Sequence, residues 1–515
     1  MLLRQTLQIR VEFKTMTDVR RYEPNIKTLG EIAAFLGADI KDASEPIEIT
    51  GVCSNSNEID EGELFIALPG EKSHGGAFVT SAVERGARAV LTDIAGSELS
   101  SVRDSAIPVL VVPNPRSQSG YLADWFHSSP SRQMYLAGIT GTNGKTTSTY
   151  LLHQIWQFAR IESGMMGTIG VTIGEDFYPA ARTTPESDVV HNVLSVMSER
   201  HIRCATMEVS SHALSQHRVD GVKFSAAGFT NLSQDHLDFH GSMENYYQAK
   251  RQLFEAQFSD SAFINIDNEY GKRLSEELAI PTTTLSLRNK KATWYCESMV
   301  STKRGWDLSI RGESGILIEG HFHLVGEYNV ENLMLAIALA FHSGVDPLVI
   351  GNSLKTLKGA PGRLERIDRG QDFSALVDYA HTPDAVTRVL KSLKIDSGRI
   401  IGVLGCGGNR DASKRPLMGK ALREGCDIAI FTSDNPRDED PGSILRAMTE
   451  GIKLDESAIV IVDRREAIAT AIASAQSGDI VVVLGKGHET GQEVKGEKFP
   501  FDDREELESA IEALT

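Results

Sequence analysis

MYLAGITGTNGKTTSTYLLHQIWQFA, residues 134–159, decides the fold. Its opening run MYLAGI is apolar or small and reads as a buried strand, GTNGKTT is a glycine turn, and from Thr146 onward apolar residues recur at helical spacing. Strand, glycine loop and helix in that order aim backbone N–H groups and the positive end of a helix dipole at one point, which is how phosphates are held. Lys145 would then reach terminal phosphates, and Thr146 would offer its hydroxyl to magnesium. The strict phosphate-loop pattern has glycine at position 139, where this chain has Ile139. A mere glycine-rich turn with a surface lysine is the blander reading, and the flanking strand and helix count against it.

Outward from this stretch, toward the N-terminus, short apolar runs (GELFIAL, ARAVLT, IPVLVV) alternate with helical patterns such as Thr80 to Gly86, which predicts a small α/β domain over 25–132. Pro130 to Gln133 reads as a linker. Toward the C-terminus, RCATMEV, SAAGFTN and SAFINI are further strand candidates. The helix NLMLAIALAFHSG ends on a glycine stop, and KGAPGR reads as a second linker near residue 360. The last section is the most regular: SALVDY, RIIGVLG, DIAIFTS, AIVIV and DIVVVLG are separated by helical stretches such as RPLMGKALREG. That alternation predicts a parallel, helix-covered sheet, with ligands beyond the carboxyl ends of its strands. The residues found there are GCGGNRD, DNPRDED and GKGHE.

At 515 residues, the chain is long enough for roughly three domains. Charged residues make up 24% and the hydrophobic set 41%, an ordinary composition for a soluble globular protein. A net charge of -17 argues against broad binding to nucleic acid or anionic membranes, while leaving room for a local basic pocket. Cys53, Cys204, Cys296, Cys406 and Cys426 are scattered and lack metal-ligand spacing, which fits a reducing cytoplasm. No apolar run of membrane-spanning length occurs, and charges break MLLRQTLQIRVEFK before a secretory apolar region forms. Residues 1–24 match no motif and are expected to be an extension of unknown role.

Glu208 ends RCATMEV and is a candidate second magnesium ligand. His236, in the polar cluster that follows SAAGFTN, is a candidate for a second metal, although spacing alone favours a hydrogen-bonded structural histidine.

Taken together, GTNGKTT, MEVSSHAL (207–214), TNLSQDHLDFHG (230–241) and GEYNVEN (326–332) resemble the Mur ligases in order and spacing. The resemblance runs from about residue 25 to the end. It implies an α/β fold of three domains: an N-terminal UDP-binding domain over 25–132, a central P-loop ATPase-like domain with a mostly parallel sheet over 133–360, and a C-terminal Rossmann-like domain over 361–515. The implied activity is ATP-dependent amide formation on a UDP-muramoyl dipeptide during peptidoglycan precursor synthesis, by a cytoplasmic monomer acting on small molecules. Its cofactors would be magnesium, as two ions, and a carbamate derived from CO2 on Lys250.

The resemblance also carries residue by residue. For ATP it implies Gly141, Thr142, Asn143, Gly144, Lys145, Thr146 and Thr147, with Asn329, Asn332, Arg363, Asp378 and His381. Either asparagine could instead be a helix cap. A nucleotide shared between domains implies hinge closure. For the UDP substrate it implies Ser56, Thr183, Thr184, Ser210, Gln216 and Arg218. Two departures are noted there: NSN at 55–57 stands where the family has DSR, and Arg182 stands where asparagine is common. Thr146, Glu208, His236 and Lys250 would hold metal, and Lys145, Lys250 and His236 would serve the chemistry. Lys250 matches the lysine the family carries as a carbamate, an anionic oxygen ligand in place of a cation that would repel magnesium. Without the resemblance it reads as a solvated lysine on the YYQAKRQLF helix.

For the amino acid, the resemblance implies Arg410, Asp434, Asn435, Pro436, Arg437, Gly485 and Glu489. DNPR implies meso-diaminopimelate as the acceptor, because a guanidinium fork takes a carboxylate through two parallel hydrogen bonds. L-Lysine as acceptor, the folylpolyglutamate synthetases as distant cousins and a nucleotide-binding regulatory module are the rival readings. The structural alternative for Arg437 is a surface ion pair with Asp438, Glu439 or Asp440, worth about 0 to 1 kcal/mol.

Overall fold

A computed structural model describes residues 19–20, 25–39, 46–70, 73–180, 182–302, 305–394 and 398–514. Most of the extension expected at 1–24 therefore lies outside the described residues. The chain forms two compact units, one from the described residues up to Ala137 with Ile161–Ser225, the other from Gly138–Arg160 with the chain from Ala226 onward.

In the first unit the apolar runs form a four-stranded parallel sheet in the order Val52–Cys53, Leu64–Ile66, Ala89–Thr92, Val109–Val111. Leu64, Ile66, Leu91 and Leu110 share a core with Leu122 and Phe126 of the helix Pro115–Phe126. Pro130–Gln133, expected as a linker, is instead a turn of 3-10 helix with Pro130 and Ser131 buried inside this unit. The unit also holds the parallel pair Ser163–Met166 and Cys204–Glu208. Two short antiparallel strands, Val171–Ile173 and Asp176–Tyr178, extend from the first of these.

The strand Tyr135–Thr140 carries the chain into the second unit, where the helix Lys145–Phe158 follows it. Ala226–Phe229, Ala262–Asn265, Thr282–Ser286 and Trp294–Thr302 run parallel, and Gly305–Arg311 and Leu317–Phe322 continue antiparallel. The helix expected from Asn332 begins already at Glu327 and runs to His342, packed against Lys145–Phe158. The C-terminal runs form the sheet Glu365–Ile367, Ser374–Asp378, Ile480–Leu484, Ile400–Cys406, Ile428–Ser433, Ala458–Val460, parallel except for its first strand. Val481, Val483, Ile401 and Val403 pack on one face and Val482, Leu484 and Leu404 on the other, so these strands are apolar without alternation, as a doubly covered sheet requires.

His153 sits within the helix Lys145–Phe158, 3% exposed. Burial pushes its pKa down to about 4. The folded state thus prefers the neutral ring, so its contribution is complete above pH 6.5 and lost as pH falls from there through about 4. We expect the melting temperature to drop over that window for wild type, and less steeply for His153→Gln, with about 3 kcal/mol at stake. Parallel pH curves for the two proteins would exclude His153 as the cause.

Candidate functional site

The phosphate loop is built by close approach. Gly141 (φ +148°) and Gly144 (φ +89°) are both in left-handed backbone, and an added Cβ would stand 1.9 Å from Thr230 Oγ1 and 2.2 Å from Asn332 Oδ1 respectively. No other residue type fits either position. The segment after Ala226–Phe229 braces the loop: Asn143 N–H donates to Asn231 Oδ1 (3.0 Å), Asn231 Nδ2 and Thr230 Oγ1 donate to Asn143 O (3.1 and 2.6 Å), and Thr142 N–H donates to Asn231 O (2.9 Å). Lys145 Nζ donates to the carbonyls of Gly141 (2.9 Å) and Thr142 (3.0 Å).

A cleft opens beside the loop, lined by Asn143, Gly144, Thr147, Asn231, Asn329, Asn332, Arg363 and Asp378 among others. It gathers most of the residues expected for ATP. Neither asparagine is a helix cap: Gly326 occupies that position, Asn329 Nδ2 donates to Val325 O (2.8 Å), and Asn332 Nδ2 donates to Asn329 Oδ1 (3.4 Å). Arg363 donates to Thr146 Oγ1 (3.2 Å) and stacks 4.5 Å over the Tyr379 ring. Asp378 accepts the N–H groups of Leu364 and Ala380 (both 2.7 Å), and burial raises its pKa. It shapes the turn that carries Arg363.

Lys250, read from spacing alone as a solvated lysine, is 1% exposed. Its helix, Met243–Arg251, turns this position inward with Tyr246 and Tyr247, and Nζ donates to Gly141 O at 2.9 Å. Burial and the nearby Lys145 charge push its pKa well below the usual lysine range. His236 is a partly exposed residue at φ +53°, with Nε2 3.3 Å from Asp235 Oδ2. Asp235, which no sequence argument singled out, is 7% exposed and also lies 3.9 Å from both His381 Nε2 and Lys414 Nζ. Burial alone would raise its pKa, but His236, His381 and Lys414 outweigh burial and lower it.

In the first unit, Glu208 accepts from Thr168 N–H (2.7 Å) and Thr168 Oγ1 (3.1 Å), and Thr168 Oγ1 meets Thr183 Oγ1 at 3.0 Å. Thr184 Oγ1 donates to Glu208 O (2.9 Å) and accepts Ser210 N–H (3.1 Å). Arg218 donates to Thr184 O (3.2 Å) and Gln216 Oε1 (2.6 Å). Five of the six expected substrate residues thus form one connected patch with Glu208. Ser56, the sixth, is buried in a turn formed by NSN, where Asn55 Oδ1 accepts Asn57 N–H (3.1 Å). Ser54 beside it ties the turn to Asp188 through N–H (2.7 Å) and Oγ (2.9 Å). Arg182 pairs with Glu186, as do Arg116 (3.2 Å) and Arg218 (3.2 Å).

The residues expected for the amino acid lie together at the carboxyl edge of the C-terminal sheet, because Leu484 is in register with Asp378 and Leu404, and Cys406 with Ser433. Gly485 (φ +113°) leaves room for Asp434, whose Oδ2 would stand 2.7 Å from an added Cβ. Lys486, fully buried and absent from the expected set, donates to Asn435 Oδ1 (3.0 Å), Glu489 Oε2 (3.1 Å) and Gly491 O (2.7 Å). Asn435 Nδ2 also donates to Glu489 Oε2 (2.9 Å). Arg410 is exposed on the loop after Ile400–Cys406. Arg437 follows Pro436 at φ +51°. It does not pair with Asp438, Glu439 or Asp440: Glu439 holds Arg415 (2.8 Å), Asp440 caps the helix Pro441–Met448, and Arg437 Nε donates instead to Glu493 (2.9 Å). Behind this edge Arg464 and Asp503, both fully buried, form a two-pronged pair at 2.7 Å. The same guanidinium donates to Ser433 O (3.3 Å) and Leu484 O (2.9 Å).

Three family models match in sequence order: the Mur ligase family catalytic domain over residues 48–116, the Mur ligase middle domain over 139–340, and the Mur ligase glutamate ligase domain over 362–487. The chain is 43% identical over 490 residues to the UDP-N-acetylmuramoyl-L-alanyl-D-glutamate--2,6-diaminopimelate ligase of Streptomyces coelicolor, covering 94% of this chain and 96% of that one. It is 37% identical to the UDP-N-acetylmuramyl-tripeptide synthetase of Leifsonia xyli, over 96% and 97% of the two chains. Among solved structures, a UDP-N-acetylmuramoyl-L-alanyl-D-glutamate--2,6-diaminopimelate ligase matches with a TM-score of 0.63 and 33% identity, over 95% of this chain and 99% of the other.

Proposed function

Because this chain belongs to the Mur ligase family, we propose that it joins meso-diaminopimelate to the D-glutamate of UDP-N-acetylmuramoyl-L-alanyl-D-glutamate in peptidoglycan precursor synthesis. It is an ATP-dependent, amide-forming ligase. The observation that carries the acceptor assignment is the guanidinium of Arg437 paired with Glu493 at the sheet edge that also carries Asp434 and Glu489. An acceptor with a second amino-acid head calls for both signs of charge there.

A carboxylate is a poor acyl donor, so the reaction begins by moving the terminal phosphoryl group of ATP onto the D-glutamate side-chain carboxylate. The amine of diaminopimelate attacks the resulting acyl phosphate, and a tetrahedral intermediate collapses with loss of phosphate. Loop N–H groups and Lys145 offset the charge gathering on the transferred group, with Arg363 beside Thr146 at the same point. Asn329 and Asn332, which line the same cleft, are assigned to the nucleotide as well. Thr183, Thr184, Ser210, Gln216 and Arg218, with Ser56, are assigned to the UDP-muramoyl dipeptide. We divide the labour among three domains, 25–132, 133–360 and 361–515, and place the reaction in the cytoplasm. No helix among the described residues is long and apolar enough to cross a membrane.

Thr146, His236 and Lys250, together with Glu208, are the residues we assign to magnesium, which supplies electrostatic neutralisation of the phosphates when bound. Lys250 suits a hard cation only once it carries an anion, and its burial favours that change. Held well below the usual lysine range, the amine is available in its neutral form to attack CO2, losing a proton to become a carbamate. Lys250→Ala is expected to lower turnover at least about tenfold, with partial recovery in excess bicarbonate or acetate. Full activity of the unsupplemented variant would rule the carbamate out.

The deciding experiment is phosphate release from Mg-ATP with UDP-N-acetylmuramoyl-L-alanyl-D-glutamate, comparing meso-diaminopimelate with L-lysine. Wild type is expected to turn over with meso-diaminopimelate, and Arg437→Ala to raise its KM about tenfold or more. Preference for lysine would discard this reading of Arg437.

A further inference from the structure

Glu489 is one of the acids expected at the acceptor site, yet its carboxylate is already engaged. Oε2 accepts from Lys486 and Asn435, and Oε1 from Tyr379 Oη at 3.4 Å. A second carboxylate lies directly on Arg437. Glu493 Oε2 accepts from Arg437 Nε at 2.9 Å, while Arg437 Nη1 donates to Gly408 O at 2.8 Å. Both side chains reach solvent, Arg437 at 23% and Glu493 at 44% exposure.

The hairpin Gly491–Val494 and Glu497–Pro500 holds Glu493 by its backbone, independently of the ion pair. Arg437 N–H donates to Glu493 O (3.0 Å), Lys495 N–H to Arg437 O (2.8 Å), and Glu493 N–H to Asn435 Oδ1 (2.9 Å). Gln492 Nε2 reaches Asp434 O (2.6 Å). A solvent-exposed pair of this kind is worth only about 0 to 1 kcal/mol, so either partner exchanges readily for a ligand charge while the backbone keeps both groups in place.

We propose that Glu493 is a specificity-determining residue of the acceptor site, taking the remote ammonium of the amino acid while Arg437 takes the remote carboxylate. The remote end of meso-diaminopimelate carries both charges on one carbon, and a contact pair of opposite charges on one sheet edge is its complement. This inference rests on the meso-diaminopimelate reading above.

The test compares kcat/KM for meso-diaminopimelate, for 2-aminopimelate, which lacks the remote ammonium, and for L-lysine, which lacks the remote carboxylate. In Glu493→Gln, nearly isosteric and on an exposed hairpin, the preference for meso-diaminopimelate over 2-aminopimelate is expected to shrink about tenfold, with KM for ATP unchanged. Glu493→Asp is expected to restore part of it. An unchanged ratio in a working Glu493→Gln, or equal slowing with both pimelate acceptors, would overturn the inference alone. Wild type using lysine only would overturn the acceptor reading and this inference with it.

Discussion

Replacing Lys145 with alanine is expected to slow ATP-dependent phosphate release about a hundredfold to a thousandfold, with little change in KM for the amino acid. The ammonium lies at the N-terminus of Lys145–Phe158, held at 2.9 and 3.0 Å by the carbonyls of its own loop. Such carbonyl contacts are weaker than those to a polyanion, so the charge is available where negative charge accumulates during phosphoryl transfer. Removing one preorganised donor of that kind from a transition state typically has this magnitude. The loop itself is kept by Gly141, Gly144 and the Asn231 braces, none of which needs the Lys145 side chain. The effect should therefore fall on kcat, measured by phosphate release at saturating substrates. A loss below about tenfold would remove Lys145 from the chemistry.

The parts of this fold legible in the sequence are those where one local pattern leaves one solution. The run MYLAGI, a glycine turn and an apolar-periodic helix admit little besides a strand, a phosphate loop and a helix, and these appear as Tyr135–Thr140 and Lys145–Phe158. The uniformly apolar C-terminal strands are equally direct. What escaped was half-exposed and paired antiparallel on at least one side: Trp294–Thr302 buries only alternate residues near its start and is largely exposed thereafter, and Glu497–Pro500 is exposed throughout. Such strands are specified by their partners across the sheet more than by their own composition.

The same division runs through the site. Arg437 was legible as a residue after a strand, but its partner was not, because Glu493 is distant in sequence and belongs to a charged hairpin that reads as a surface loop. Asp235 sits in a polar cluster whose interest lay in the neighbouring histidine; only the fold brings His381 and Lys414 to it. Lys250 shows the limit most clearly. On its own helix nothing distinguishes a buried lysine from a solvated one, and only the fold brings Gly141 O, distant in sequence, to its buried ammonium.

Asp503→Ala is expected to destabilise the protein by about 3 to 5 kcal/mol, because it strands the Arg464 guanidinium in a fully buried position. Its two-pronged pair with Asp503 is the larger part of what makes that burial tolerable; the carbonyls of Ser433 and Leu484 satisfy other N–H groups. Replacing both charges, as in Arg464→Met with Asp503→Leu, removes the unpaired ion and is expected to recover most of the loss, since apolar substitutes for a buried pair are often neutral or better. Stability alone does not exhaust the role of the pair. Ser433 and Leu484 end the two strands that deliver Asp434 and Gly485, so the double variant is expected to fold yet show a raised KM for the amino acid with kcat for phosphoryl transfer kept. Thermal melting and acceptor titration on the two variants separate these contributions. A single variant as stable as wild type would show that water or a shifted side chain reaches Arg464, and an unchanged KM in the stable double variant would confine the pair to packing.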